Sequence, residues 1–576
     1  MMAEATTMTQ AIRASESARR RRRLMECVPA ALLLVPVVLI GILVLAAPRA
    51  TFIIGAGYVG FWALRSVEMG IRQVVELQRI RRYQRTDWAG RLARLADPYP
   101  TLHALAARPR LKPGQVDELA ALGRWVHSGA DVPGPDDLYH LVVMPVVDEG
   151  ADVLHATLDA LAAADYPCQR LLVCLSFEER SQRWTAERIA DLQQAYQDRF
   201  GLMLTTRHPD GLPGETRVKG ANITWGARLA VTEIRRRGLR DSQVVVSAMD
   251  CDTQVSRWYF AVLSYTYLTD PDRDVNGYQP ILLFNNNAWE ASPVARLVGY
   301  IASMWTLVDS TMPKRTQLFS SHAIGLPALV AVNYWATDVV PDDSRQHWRL
   351  YFGSHGRART VALHVPVFLD AVQSETRWST LTAQYRQIRR WAYGVIDFPY
   401  LVEQSLAHPE IPLSARLIRT WRLVWQFHLW AVVPLLLLAS RPGLAWLQPP
   451  VIDPESLIGA AATAVALSGI VAPVGLVLSV IVGVCLMAAR PAHRSRLAYL
   501  GIVAEWLLLP VVVPIFFCLP AIDAQLRLLT RRYLGFRVTA KFRVSRSADA
   551  LNGRPRRRGP TPSAGPSAPA ATEGSD

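Results

Sequence analysis

The sequence predicts an α/β domain with membrane-crossing helices on both sides, and three observations carry that reading. Apolar types make up 51% of the 576 residues against 19% charged, where soluble domains carry roughly 25% charged residues. Apolar runs long enough to cross a bilayer cluster before residue 73 and after residue 420. Between them, short β-branched or leucine-rich runs alternate with helical patterns.

Residues 1–27 form a basic segment with the run Arg19 to Arg23, and 28–72 read as a helical hairpin: Val28 to Ala47, a turn at Pro48-Arg49, then Thr51 to Met69. A cleaved leader fits poorly, because the first run exceeds a usual leader's apolar core and a second follows at once. Arginines flank both outer ends, at 19–23 and at Arg65, Arg72, Arg79, Arg81, Arg82 and Arg85. The positive-inside rule then places both ends, and the chain that follows, in the cytoplasm. Arg65 and Glu68 sit three apart and suit an ion pair on the helix surface.

After a basic linker over 73–135, the domain at 136–420 offers buried strands at Leu141 to Val147, Leu171 to Ser176 and Val244 to Met249, with a helix over Ala151 to Ala163. In open parallel sheets, ligands sit at the carboxyl ends of the strands. The membrane returns over 421–520, with Leu423 to Ser440, a 33-residue run from Leu457 to Ala489, and Leu497 to Pro520. The long run reads as one tilted helix or as two broken near Pro473. An even total of spans returns the basic segment 521–552 to the cytoplasm, so four C-terminal spans are expected. The Pro-, Ala-, Ser- and Gly-rich tail 553–576 is predicted to be disordered.

The six cysteines lack the paired spacing of a zinc site. The net charge of +15 fits nucleic acid, anionic lipid or a phosphate-bearing substrate. Because the arginines crowd beside apolar spans and no nucleic-acid module is present, membrane lipids are the expected partner and nucleic acid is not.

Three motifs carry chemistry. Asp250-Cys251-Asp252 ends the third strand, with two carboxylates spaced to grip a divalent cation, Mg2+ or Mn2+, together with a diphosphate. Pro341-Asp342-Asp343 precedes a helical segment at Gln346 to Tyr351; either acid suits a helix N-cap, and a carboxylate beside a cleft also suits a general base. Gln387, Arg390 and Trp391, in a helix beginning near Leu381, fall at i, i+3 and i+4 and share a face that suits phosphate and a sugar ring.

Asp250-x-Asp252, Asp342-Asp343 and Gln387-x-x-Arg390-Trp391, in that order within an α/β domain between membrane spans, resemble the family 2 glycosyltransferases, particularly membrane synthases similar to cellulose and chitin synthases. The resemblance implies a GT-A-type nucleotide-sugar-binding fold and transfer with inversion. It implies that Asp252 holds the metal, with Asp250 beside it on metal or donor, and that Asp343 takes the proton of the acceptor hydroxyl. Trp391 then stacks on the acceptor sugar, while Gln387 and Arg390 steady the diphosphate or acceptor end.

Asp148-Glu149 stands where the family has an Asn-Glu pair closing its first strand, and Lys219-Gly220-Ala221-Asn222 resembles its Lys-containing loop near the nucleotide. Glu178 replaces the family's nucleotide-base aspartate, and the acid pair follows proline instead of Thr-Glu. Phe536-Arg537-Val538-Thr539-Ala540-Lys541 resembles the gating loop of cellulose synthases.

The expected activity is a membrane glycosyltransferase that moves a sugar from a nucleotide-diphospho-sugar, a UDP-sugar first, to a growing polysaccharide. A single-addition enzyme on a polyprenyl-phosphate or glycolipid acceptor is the close alternative. A transporter or scaffold is the alternative of another class; it would want ionisable residues within the spans, where the C-terminal ones offer His428 and Glu505.

Overall fold

Two long antiparallel helix pairs rise from one side of an eight-stranded sheet. The computed structural model describes residues 2–128, 132–448 and 453–535, so the Phe-x-Val-Thr-x-Lys pattern and the tail lie outside the described residues. The first pair is Met2–Ala46 and Pro48–Gln84, turning at Ala47 with Pro48 at the first helical position, where its missing N–H costs nothing. The second pair is Leu413–Leu447 and Leu457–Leu486. Both turns lie at the same far end, where Phe52, Ala56 and Val59 pack on Leu444 and Ala461. At the near end Leu77, Ile80 and Val482 share an apolar cluster with Ile281 and Leu283 of the sheet. Arg65 and Arg72 both pair with Glu68 on the helix surface.

The run from Leu457 is one helix through Pro473, so three apolar C-terminal helices replace the four expected. Proline is tolerated where neighbouring helices supply packing, and here the Pro48–Gln84 helix lies against it. A Cβ on Gly475 would fall 2.3 Å from the backbone of Ser66, and Ser66 Oγ donates to the Ala472 carbonyl at 3.1 Å. Small residues of this kind let helix backbones touch inside a bilayer.

Among the described residues, five helices are long and apolar enough to cross a membrane, but the fifth, Ala498–Leu529, packs differently from the other four. Tyr499 meets Trp289 edge-on at 5.3 Å, Glu505 accepts from Arg296 at 2.9 Å, and Trp506 stacks on Tyr300. Further on, Asp523 accepts from Arg389 at 2.8 Å, and the Leu528 carbonyl accepts from Arg23 at 2.7 Å. The start and middle of the segment therefore rest on the sheet-bearing domain, while its end also meets the first helix at Arg23 and Leu413–Leu447 at Phe427.

The sheet runs in the order β3-β2-β1-β4-β7-β6-β8-β5. The strands are β1 Tyr139–Val146, β2 Leu171–Glu178, β3 Leu202–His208, β4 Val244–Ala248, β5 Gln254–Val255, β6 Gly277–Leu283, β7 Ala323–Gly325 and β8 Thr360–Phe368. β3, β2, β1 and β4 are mutually parallel; β7 is antiparallel to both of its neighbours. Side chains of β1 alternate between two cores: Val142, Met144 and Val146 face one, Leu141 and Val143 the other. Parallel β1, β2 and β4 thus bring Asp148, Glu178 and Asp250 to the same edge. The helix after β1, Ala151–Ala162, covers the first of these cores through Leu154, Leu158 and Leu161.

If backbone contact at Gly475 holds the two pairs together, Gly475→Ala should lower the thermal unfolding midpoint in detergent, at an overpacking cost of about 1–3 kcal/mol. Gly60→Ala, on the same partner helix but facing open space, should leave it unchanged.

Candidate active site

Four elements converge beyond the end of β4. The first is the turn after β4 itself, where Asp250 Oδ2 accepts from Ser320 Oγ at 2.7 Å. Asp252 is fully buried, and its Oδ2 accepts from the backbone N–H of Asp370, just after β8. The second is the helix Lys219–Arg236, whose first residue sends its ammonium 2.8 Å from Asp250 Oδ1 and 3.2 Å from Asp343 Oδ2. Gly220 permits this approach: a Cβ there would fall 2.2 Å from the Ala336 carbonyl oxygen. Burial works against the Lys219 ammonium, but Asp250, Asp343 and Asp342 outweigh it and hold its pKa well above the ordinary value.

The third element is the helix Asp342–Gly353. Its N-cap is Pro341, so both acids stand inside the first turn and neither is the side-chain cap the sequence suggested. The helix N-terminus favours negative charge there. Asp342 is 3% exposed and its Oδ2 has no hydrogen-bond partner. Burial, then the neighbouring Asp343, push its pKa up, so Asp342 is held toward its neutral form. The helix is braced by Asp397, which is fully buried and accepts from Arg345 Nε at 2.7 Å and Ser344 Oγ at 2.8 Å.

The fourth is the helix Arg377–Ala392, which starts four residues before the expected point because Thr376 and Ser379 form a capping box. Burial lowers the Arg390 pKa, while Asp250, Asp342 and Asp343 pull it back up. The guanidinium therefore lies within electrostatic reach of the three acids. Trp391 lies 5.6 Å from Phe284, ring to ring, and Gln387 accepts from Gln384. The common face predicted for the three residues is thus divided among three neighbours.

The remaining expected residues stand along the same edge. Asp148 Oδ1 accepts from Ser181 at 2.9 Å and so reaches the loop after β2, while Glu149 accepts from the backbone of Val147 at 2.7 Å within the turn after β1. Glu178 is buried against His208 and Arg180, each at 3.4 Å, and His208 reaches Glu215 at 2.9 Å. A cavity of about 890 Å³ opens beside this group, with Arg19, Arg22, Arg23, Arg180, Arg217 and Arg531 in its wall. Val218 and Val340, one residue from Lys219 and two from Asp342, also line it, and so does Gly535.

Sequence reasoning missed Ser320 and His322, and left Gln279 and Trp335 aside as a plain turn and a packed indole. Gln279 clamps the loop before β7 by accepting from the Phe319 N–H and donating to the Ser320 carbonyl. No spacing marks these residues; only the sheet brings them to β4. Among the described residues no group of three or more His, Cys, Asp or Glu side chains is placed to hold a metal ion.

Residues 245–488 match the family model described as Glycosyl transferase family group 2. No curated protein matches the chain. Among solved structures, it is similar to the mannosyltransferase PcManGT from Pyrobaculum calidifontis in complex with GDP-Man and Mn2+, at 18% identity and a TM-score of 0.35, over 67% of this chain and 97% of that one. It is also similar to S. aureus TarS 1-349 in complex with UDP-GlcNAc, at 10% identity and a TM-score of 0.27, over 58% and 91% of the two chains.

A buried carboxyl with a raised pKa makes folding bind a proton, so its contribution to stability is complete at low pH and is lost as pH rises through the folded pKa. Thermal midpoints measured from about pH 5 to about pH 9 should therefore fall less steeply for Asp342→Asn than for the wild type. Equal slopes would show that Asp342 is ionised throughout.

Proposed function

Starting from a chain that is a family 2 glycosyltransferase, we propose that it transfers a sugar, with inversion, from a nucleotide-diphospho-sugar to a growing polysaccharide at the membrane. The convergence of Asp250, Asp343, Lys219 and Arg390 carries this reading. Asp343 removes the proton of the acceptor hydroxyl, the freed oxygen attacks the anomeric carbon of the donor sugar from the face opposite the diphosphate, and the bond to the diphosphate breaks. Lys219 and Arg390 meet the charge that grows on the leaving diphosphate, so the ammonium now held between two acids would turn to phosphate as donor enters.

Oxygen donors at Asp250 and Asp252 suit Mg2+ or Mn2+, which commonly take one or two carboxylates and complete their shell from substrate phosphates. Bound there, the ion would neutralise charge on the diphosphate. Glu178 and the arginine-lined cavity fit the nucleotide end, with Asp148 and Glu149 in the adjoining turn after β1. Gln387 and Trp391 fit the acceptor, on a helix that Arg389 ties to the membrane-side segment through Asp523.

The catalytic domain belongs in the cytoplasm. Arginines crowd the near ends of the helix pairs, and the four helices whose turns share the far end cross the bilayer. Ala498–Leu529 then lies along the inner surface, presenting Leu500, Leu507 and Val511 to lipid. This restores the even number of crossings and returns Phe536 to Lys541 to the cytoplasmic side.

Membranes incubated with a panel of radiolabelled nucleotide sugars should show transfer from one donor only when Mg2+ or Mn2+ is present. Asp343→Asn should lower turnover by about a hundredfold or more, and Asp250→Asn should raise the metal concentration required. Full activity in Asp343→Asn would remove its role as base, and a product limited to one added sugar would favour the single-addition enzyme. In a cysteine-free background, cysteines at Leu497 and Thr530 should both react with an impermeant maleimide from the cytoplasmic side alone; labelling from opposite sides would make the fifth helix a span.

A further inference from the structure

A histidine buried behind Asp343 has no place in the scheme above. His322 begins where the loop from Phe319 meets β7, and it is fully buried. Its Nε2 accepts from the indole N–H of Trp335 at 3.1 Å. An indole nitrogen can only donate, so Nε2 is the bare nitrogen and the imidazole proton sits on Nδ1. That Nδ1–H donates to the Phe319 carbonyl at 2.7 Å, and Nδ1 lies 3.5 Å from Asp343 Oδ1. Trp335 is fixed in turn by Thr224, which exchanges hydrogen bonds with its backbone N–H and carbonyl at 3.2 Å. Thr224 lies on the helix that Lys219 begins.

We propose that His322 is a positioning residue for the transfer reaction: locked in one tautomer by Trp335, it presents a neutral N–H that orients the Asp343 carboxylate toward the acceptor. The proposal rests on the reading of Asp343 as base. The charged groups around the imidazole are Asp343, Lys219 and Asp250, and burial keeps it neutral among them. Neutrality suits the task. An imidazolium would hold the acceptor's proton poorly apart from the carboxylate, whereas a neutral donor fixes one carboxylate oxygen and leaves the other basic. When Lys219 turns to the diphosphate, the His322 N–H is the protein donor that stays beside Asp343. Trp335 prevents Nε2 from gaining a proton without the loss of a buried hydrogen bond.

Two amide substitutions separate this role from simple packing. Asn at position 322 can place its amide near the Nδ1 position, and Gln reaches the Nε2 position instead. We expect His322→Asn to keep kcat within about tenfold of wild type and His322→Gln and His322→Leu to lower it by about tenfold to a hundredfold, the usual cost of removing a partner that orients a reactive group. KM for the donor should stay within about twofold in all three, and thermal midpoints identify any variant that fails to fold. Trp335→Phe keeps the aromatic packing and frees the tautomer, so it should lower kcat alone.

Unchanged kcat in His322→Leu or Trp335→Phe, with Asp343→Asn inactive, would overturn the positioning role and leave the base reading standing. Equal losses in His322→Asn and His322→Gln would also overturn it. Full activity in Asp343→Asn would instead overturn the reading on which it rests.

Discussion

One ammonium holds the catalytic edge together. Asp250, Asp342 and Asp343 are gathered where water is scarce, and like charges so placed repel by several kcal/mol at an effective dielectric of about 20. Lys219, 8% exposed, lies within 3.2 Å of two of them, and Arg390 is within electrostatic reach of all three. Two cations do not balance three carboxylates in a buried site, and burial, then the neighbouring Asp343, raises the pKa of Asp342. What remains is two carboxylates and two cations. The same balance makes the site responsive: a diphosphate arriving with a divalent cation offers Lys219 and Arg390 a new anion, and offers Asp250 a new cation.

The chain holds this arrangement at points far from the charges. Gly220 lets the Lys219 helix touch the backbone at Ala336, so any larger residue would move the ammonium away from the acids. The buried Arg345–Asp397 pair joins the Asp343 helix to the segment that follows Trp391. Removing one partner of such a pair leaves an uncompensated buried charge, typically at a cost of about 3–5 kcal/mol. Gln279 and Ser320 connect Asp250 to β6 and to the loop before β7. The side chains gathered at this edge are therefore positioned by elements other than their own.

Much of this was legible in the sequence because strand ends announce themselves. The apolar runs before Asp148, Glu178 and Asp250 end where β1, β2 and β4 end, within two residues, since a buried parallel strand must be apolar on both faces. The acid pair and the Gln-x-x-Arg-Trp helix were legible from their order. The division of Gln387, Arg390 and Trp391 among separate neighbours was not, because helical spacing fixes direction around an axis and says nothing of what each side chain meets. His322 and Trp335 lie outside every motif. The short strands β5 and β7 owe their existence to pairing partners more than 60 residues away in sequence, as Gln254 with Phe368 and Ser247 with Ala323 show.

The last helix differs from the other four in what it packs against. Ala498–Leu529 is apolar enough to cross a membrane, yet Trp289, Arg296, Tyr300 and Arg389 contact it along its length. Its C-terminal half also meets Phe427 and Trp430 of Leu413–Leu447. The buried Glu76 accepts from His364 at 2.7 Å, which joins the Pro48–Gln84 helix to β8 in the same way. The edge that carries Asp250 and Asp343 is thereby tied to the long apolar helices through part-buried contacts.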